Sequence, residues 1–166
     1  MQKTPILLLV FLIAFSCKKD NKKQVAGNAE AINFNVEEWP KKAVANAEAA
    51  KILAKWPEYV ALETSFESIY TSENSEDLSL IIEDLIEKQK AMAESTYPVE
   101  FDRPHIKSRQ IALKTYILKT KGNLEYRLDL QEPVIEMIAA FNALRNQFNV
   151  ILNSKIDIDL LQEKKK

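Results

Sequence analysis

The chain has 166 residues, 46% of them hydrophobic and 28% charged, with a formal net charge of −1; this is the balance of one foldable domain with no electrostatic footprint for nucleic acid. It holds one Cys (Cys17), one His (His105) and two Gly (Gly27 and Gly122). These counts exclude an internal disulfide framework, multi-thiolate and His-cluster metal sites, the P-loop and the dinucleotide fingerprint, so neither a metal nor another cofactor is implied.

Residues 1–16 read MQKTPILLLVFLIAFS. Lys3 supplies a positive start, and the apolar run from Ile6 to Phe15 is shorter than the roughly 20 residues a membrane-spanning helix needs, so the segment reads as an export signal. Ala14 and Ser16 stand three and one residues before Cys17. This arrangement resembles the lipobox of bacterial lipoproteins, in which the Cys becomes the first residue of the processed chain. The resemblance implies a diacylglyceryl thioether on Cys17 and an acyl chain such as palmitate on its amino group, hence a membrane as partner. Two or more acyl chains anchor stably where one does not. The alternative is a free exported thiol.

The run Lys18-Lys19-Asp20-Asn21-Lys22-Lys23 is similar to the charged start of Bacteroidota lipoproteins. With Lys rather than Asp after the Cys, the likeness to bacterial lipoproteins implies the outer membrane, facing either the periplasm or the surface. Residues 17–35 are expected to form the lipid anchor and a flexible tether with a root-mean-square span of about 24 Å. Residues 36–166 are expected to form the folded domain.

From there, apolar residues recur at spacings of three and four, the helical period. Val36 to Pro40 reads as a helix start, with Ala45, Ala49, Ile52 and Trp56 on one face. Pro57 either kinks that helix or opens a second one, which continues through Tyr59, Leu62, Phe66 and Ile69. Asn74 or Ser75 caps the next helix, whose seam is Leu78, Ile82, Leu85, Gln89 and Met92. A loop over residues 97–104 leads, through a cap at Asp102, to a helix carrying Ile106, Gln110, Leu113, Ile117, Thr120, Leu124 and Leu128; Gly122-Asn123 is a candidate early end, and Leu124 to Leu130 a candidate extended piece. Pro133 is expected to start the last long helix, with Val134, Ile138, Phe141, Arg145, Phe148 and Leu152 at heptad-like steps. Asp157 to Gln162 adds one more turn. The fold class is all-α, an up-and-down antiparallel bundle of four to five helices.

Arg145 interrupts an apolar seam, Asn142, Asn146 and Asn149 lie beside it, Asn153 follows one turn on, and Gln89 and Gln110 sit on the seams of their own helices. A charge on a buried face is costly unless paired. These residues therefore form a satisfied polar layer, with Glu63 or Glu67 pairing with Arg145, or they line a pocket for a polar or anionic ligand held by Arg145, Asn142, Asn149 and Arg109. His105 lies in the first turn of a helix with no nucleophile signature near it, so a hydrolase built on it is the weakest reading. Trp39 and Trp56 read as core or hinge anchors, and Glu83, Asp84 and Glu87 as a solvated face.

Segments such as FDRPHIKSRQIALKTYILKTKGN and IAAFNALRNQFN are similar to small uncharacterised helical lipoproteins of flavobacteria, a resemblance that implies no activity. The function expected is a lipid-anchored, non-enzymatic helical envelope protein acting as an interaction or scaffold module, with another envelope protein as its partner. The second reading is a lipoprotein binding a small ligand near Arg145.

Overall fold

The computed structural model describes residues 34–163, with side chains described as far as Ser154; the expected signal, Cys17 and most of the tether lie outside the described residues. Five helices follow in order: α1 (Ala47–Leu53), α2 (Pro57–Glu67), α3 (Ser75–Glu94), α4 (Pro104–Glu125) and α5 (Gln131–Glu163). Among the described residues there is no strand, and no helix is long and apolar enough to cross a membrane. The chain is an all-α bundle.

Consecutive long helices pack side by side, α2 on α3, α3 on α4 and α4 on α5. Tyr59 meets Phe148, and Phe66 meets Phe141, so α5 descends in number as α2 ascends and the two run antiparallel. The fourth side of the bundle, between α2 and α5, is thus spanned by large side chains.

The seams fill the core as their spacing dictates. Leu78, Ile82, Leu85, Gln89 and Met92 of α3 are all buried, as are Ile106, Gln110, Leu113, Ile117 and Thr120 of α4 and Val134, Ile138, Phe141, Arg145, Phe148 and Leu152 of α5. Burying each large apolar side chain contributes about 1.5–3 kcal/mol. Tyr59, Phe66, Phe101, Phe141 and Phe148, all fully buried, therefore outweigh any single polar contact in the molecule.

The first boundaries either depart from the sequence pattern or decide between its alternatives, each for a local reason. Val36–Glu38 forms only a 3-10 turn, and no α-helix begins until Ala47, where the Asn46 side chain accepts from the Ala49 N–H at 2.8 Å. Trp56 is extended (φ −108°, ψ 94°), because the residue before proline is driven out of the helical region, so Pro57 separates two helices rather than kinking one. Asp102 does not cap α4; Arg103 holds that position without a side-chain bond, and Asp102 pairs instead with Lys107 at 2.6 Å. At α3 the expected cap is present, Asn74 accepting from the Asp77 N–H at 2.8 Å.

Gly122-Asn123 does not end α4, and Leu124 to Leu130 holds no strand. The helix runs to Glu125 and closes with the Leu128 N–H donating to the Asn123 carbonyl (2.8 Å) and the Arg127 N–H to the Leu124 carbonyl (3.2 Å), a Schellman ending. Arg127 takes the left-handed position at φ 52°. The last helix opens at Gln131 rather than Pro133, which the first turn accommodates because its N–H groups have no helical acceptor. Its backbone then continues unbroken through the extra turn expected at Asp157 to Gln162.

A non-glycine residue in that region costs about 1–2 kcal/mol, partly offset by the backbone entropy that glycine loses. Arg127→Gly is accordingly expected to stabilise the fold by about 0.5–1 kcal/mol, read as a higher urea midpoint at unchanged m-value.

Candidate functional site

Residues 39–46 form an extended strap over the open side between α2 and α5. Ala43 and Ala45 are half-buried, while Val44 between them is 78% exposed. An extended segment with no neighbouring strand must pair its backbone groups elsewhere. Here α5 supplies the partners. Asn142 accepts from the Ala43 N–H (2.8 Å) and donates to the Lys41 carbonyl (2.9 Å). Asn149 accepts from the Asn46 N–H (2.8 Å) and donates to the Val44 carbonyl (3.0 Å).

Gln131 does the same just before the strap, accepting from the Asn35 N–H (3.0 Å) and donating to its carbonyl (3.3 Å), while Asn153 accepts from the Asn46 side chain at 3.2 Å. Both sets of numbers rise together, so the strap runs parallel to α5. Trp39 and Tyr70 fasten the entry: the Trp39 indole N–H donates to Gln131 Oε1 (3.3 Å) and the Tyr70 hydroxyl to the Pro40 carbonyl (2.8 Å).

Beneath the strap lies Arg145, 1% exposed. Its Nη2 donates to Glu63 Oε1 at 3.0 Å, and its guanidinium stacks on the Phe141 ring at 4.0 Å, a cation–π contact. Lys42 from the strap lies 3.3 Å from the same Glu63 oxygen and also pairs with Glu67. Two cations and two carboxylates thus close the layer. Nε and Nη1 of Arg145 have no partner. Burial pushes the Tyr59 hydroxyl up to about 12, the Glu63 charge adding to the rise and Arg145 opposing it.

The residues expected as a ligand site therefore separate. Arg145 is held by Glu63, and Asn142 and Asn149 hold the strap. Arg109 is exposed on α4 and shares no ion pair or hydrogen bond with them among the described residues. Asn146 is exposed. His105 is exposed in the first turn of α4 and makes no hydrogen bond or ion pair among the described residues. Trp56 is buried, its indole N–H donating to Ser95 Oγ at 2.8 Å. Gln131 was the missed member. Its signal is the spacing Gln131, Asn142, Asn149, Asn153, which returns to one face after three, two and one helical turns.

Two open cavities among the described residues lie elsewhere, one of about 570 Å³ between the α1–α2 junction and the α3–α4 connection and one of about 670 Å³ between α3 and α4, and Tyr97 lines both. No group of three or more His, Cys, Asp or Glu able to hold a metal occurs among the described residues. No family model matches this chain, and neither a curated protein nor a solved structure shows significant similarity to it. Its class rests on its own geometry: a helical bundle whose central polar residues clamp an extended segment of the same chain.

Removing one clamp should release one part of the strap. Asn142→Ala is expected to cost about 1–2 kcal/mol for two lost hydrogen bonds and to speed hydrogen exchange at the Ala43 amide. Asn142→Asp, which keeps the acceptor, should preserve that protection.

Tyr59 sets an alkaline limit. The neutral phenol is favoured in the folded state, whereas the unfolded chain releases its proton near the ordinary value of 10.0. Its contribution is therefore complete below pH 10 and lost as pH rises towards about 12. Denaturant titrations should show stability falling across that window, with a shallower fall in Tyr59→Phe.

Proposed function

We propose that the chain is a lipid-anchored, non-enzymatic helical protein of a bacterial envelope, acting as an interaction or scaffold module. Anchoring rests on the sequence: a positive start, a short apolar run, and the lone thiol at Cys17 with Ala14 and Ser16 before it. Lys18 rather than Asp after the Cys, by the likeness to bacterial lipoproteins, favours the outer membrane. The observation that supports a scaffold over a ligand binder at Arg145 is the use of the central polar groups. Glu63 engages Arg145, and Asn142 and Asn149 are spent on the strap. What such a module offers a partner envelope protein is a rigid outer surface.

The experiment is purification from envelope extracts followed by intact-mass measurement and identification of co-purifying species. The expected mass starts at Cys17 and includes the diacylglyceryl and acyl groups, with one stoichiometric protein partner. An unmodified mass starting at Cys17 would remove the anchor from the reading. A retained small molecule without a protein partner would replace the scaffold role with ligand binding.

A further inference from the structure

Two polar seam residues, Gln89 and Gln110, have no part in the clamp. They face each other across α3 and α4, 3% and 2% exposed. Gln89 Nε2 donates to the Gln110 backbone carbonyl at 3.4 Å. Gln110 Oε1 accepts from the Tyr97 hydroxyl at 2.7 Å, and the same hydroxyl lies 3.4 Å from the Ala93 carbonyl. Gln110 Nε2 is left buried with no acceptor. An unsatisfied buried donor is costly, and this one belongs to a residue lining the cavity of about 670 Å³.

Cations outnumber carboxylates by one around the cavity. Lys90, Lys107 and Lys114 line it against Glu94 and Asp102, three cations to two carboxylates, in a chain whose formal net charge is −1. Lys107 is held by Asp102 at 2.6 Å, while Lys90 and Lys114 have no ion-pair partner among the described residues. Ile111, 67% exposed, and the Tyr97 ring supply apolar wall. The volume falls within the range of small-molecule sites, which combine apolar walls with a few convergent polar groups.

We propose that this cavity binds a small carboxylate with an apolar body. The carboxylate accepts from Gln110 Nε2 and is attracted by Lys90 and Lys114, and the body lies against Ile111 and Tyr97. Gln110 Nε2 is sealed from solvent and the Tyr97 hydroxyl lies against the same carboxamide, so binding requires the Tyr97 side chain to give way. The site is independent of the scaffold reading, since it uses neither the clamp nor the N-terminal anchor.

Benzoate, with benzyl alcohol as its uncharged match, is the probe. In two-dimensional NMR of the full chain, benzoate should shift the Gln110 side-chain amide saturably, and benzyl alcohol should not. Gln110→Glu keeps the acceptor for Tyr97 but removes the donor, and should weaken benzoate about tenfold or more. Lys114→Glu, an exposed change that leaves the core untouched, should weaken it severalfold, and it decides the matter if the first variant fails to fold. No saturable shift, equal binding of benzyl alcohol, or unchanged affinity in Lys114→Glu would overturn the proposal.

Discussion

The bundle depends on a substitution of side-chain amides for a missing strand. A peptide unit carries one N–H donor and one C=O acceptor, and the carboxamide of Asn or Gln offers the complementary pair at the end of a short arm. Three such groups, on Gln131, Asn142 and Asn149, each satisfy an N–H and a carbonyl of the extended chain. They lie on one stripe because separations of eleven and seven residues close on near-whole numbers of helical turns. A shorter or kinked α5 would break the stripe, leaving the backbone of residues 41–46 to find water at the edge of the core.

That arrangement explains how Arg145 is tolerated on an apolar seam. A buried ion pair is weak evidence of stability, because desolvating both charges offsets most of their attraction. Glu63 retains 29% exposure of its side chain, and Lys42 meets it from the strap side, so the carboxylate is neither fully desolvated nor left with one cation. The guanidinium is flat enough to lie on Phe141 while pointing Nη2 at Glu63, which a lysine ammonium at that place could not do. Arg145 therefore fixes the register of α2 against α5, and the stacked Phe66 and Phe141, with ring centroids 4.1 Å apart, supply the adhesion.

The seams of α3, α4 and α5 were legible because helical periodicity is local and each burying face repeats. Leu78, Ile82 and Leu85, or Val134, Ile138 and Phe141, could hardly point elsewhere. The strap was not legible for the opposite reason. Val36-Glu37-Glu38-Trp39-Pro40 carries good helix-start chemistry, and Ala43 and Ala45 tolerate a helix well. Local preference was overridden by acceptors and donors about a hundred residues away on α5. Arg145 announced itself as a polar intruder on its seam, and Glu63 was one of two reachable carboxylates. The roles of Asn142 and Asn149 needed the strap in place, for a carboxamide beside a buried arginine looks alike whether it awaits a ligand or a backbone.

The two polar layers of the bundle consequently stand in different states. In the layer of Arg145, every formal charge has a counter-charge and a segment of chain lies across the opening, although the guanidinium keeps unpaired N–H groups. In the layer of Gln89 and Gln110 no charge is buried, yet no strap covers it, and the loop over residues 97–103 leaves a cavity beside it. Sealing a layer takes an extended segment with free backbone groups and a helix face with carboxamides at the right turns. The chain has that combination along α5, where Asn142 and Asn149 stand on the face beside the core. On α4, Gln110 is the lone carboxamide on the seam, and the residues seven and three further on, Ile117 and Leu113, are apolar and buried. The α3–α4 side has no such row of carboxamides on one helix, so its polar groups end at an opening and those of the α2–α5 side do not.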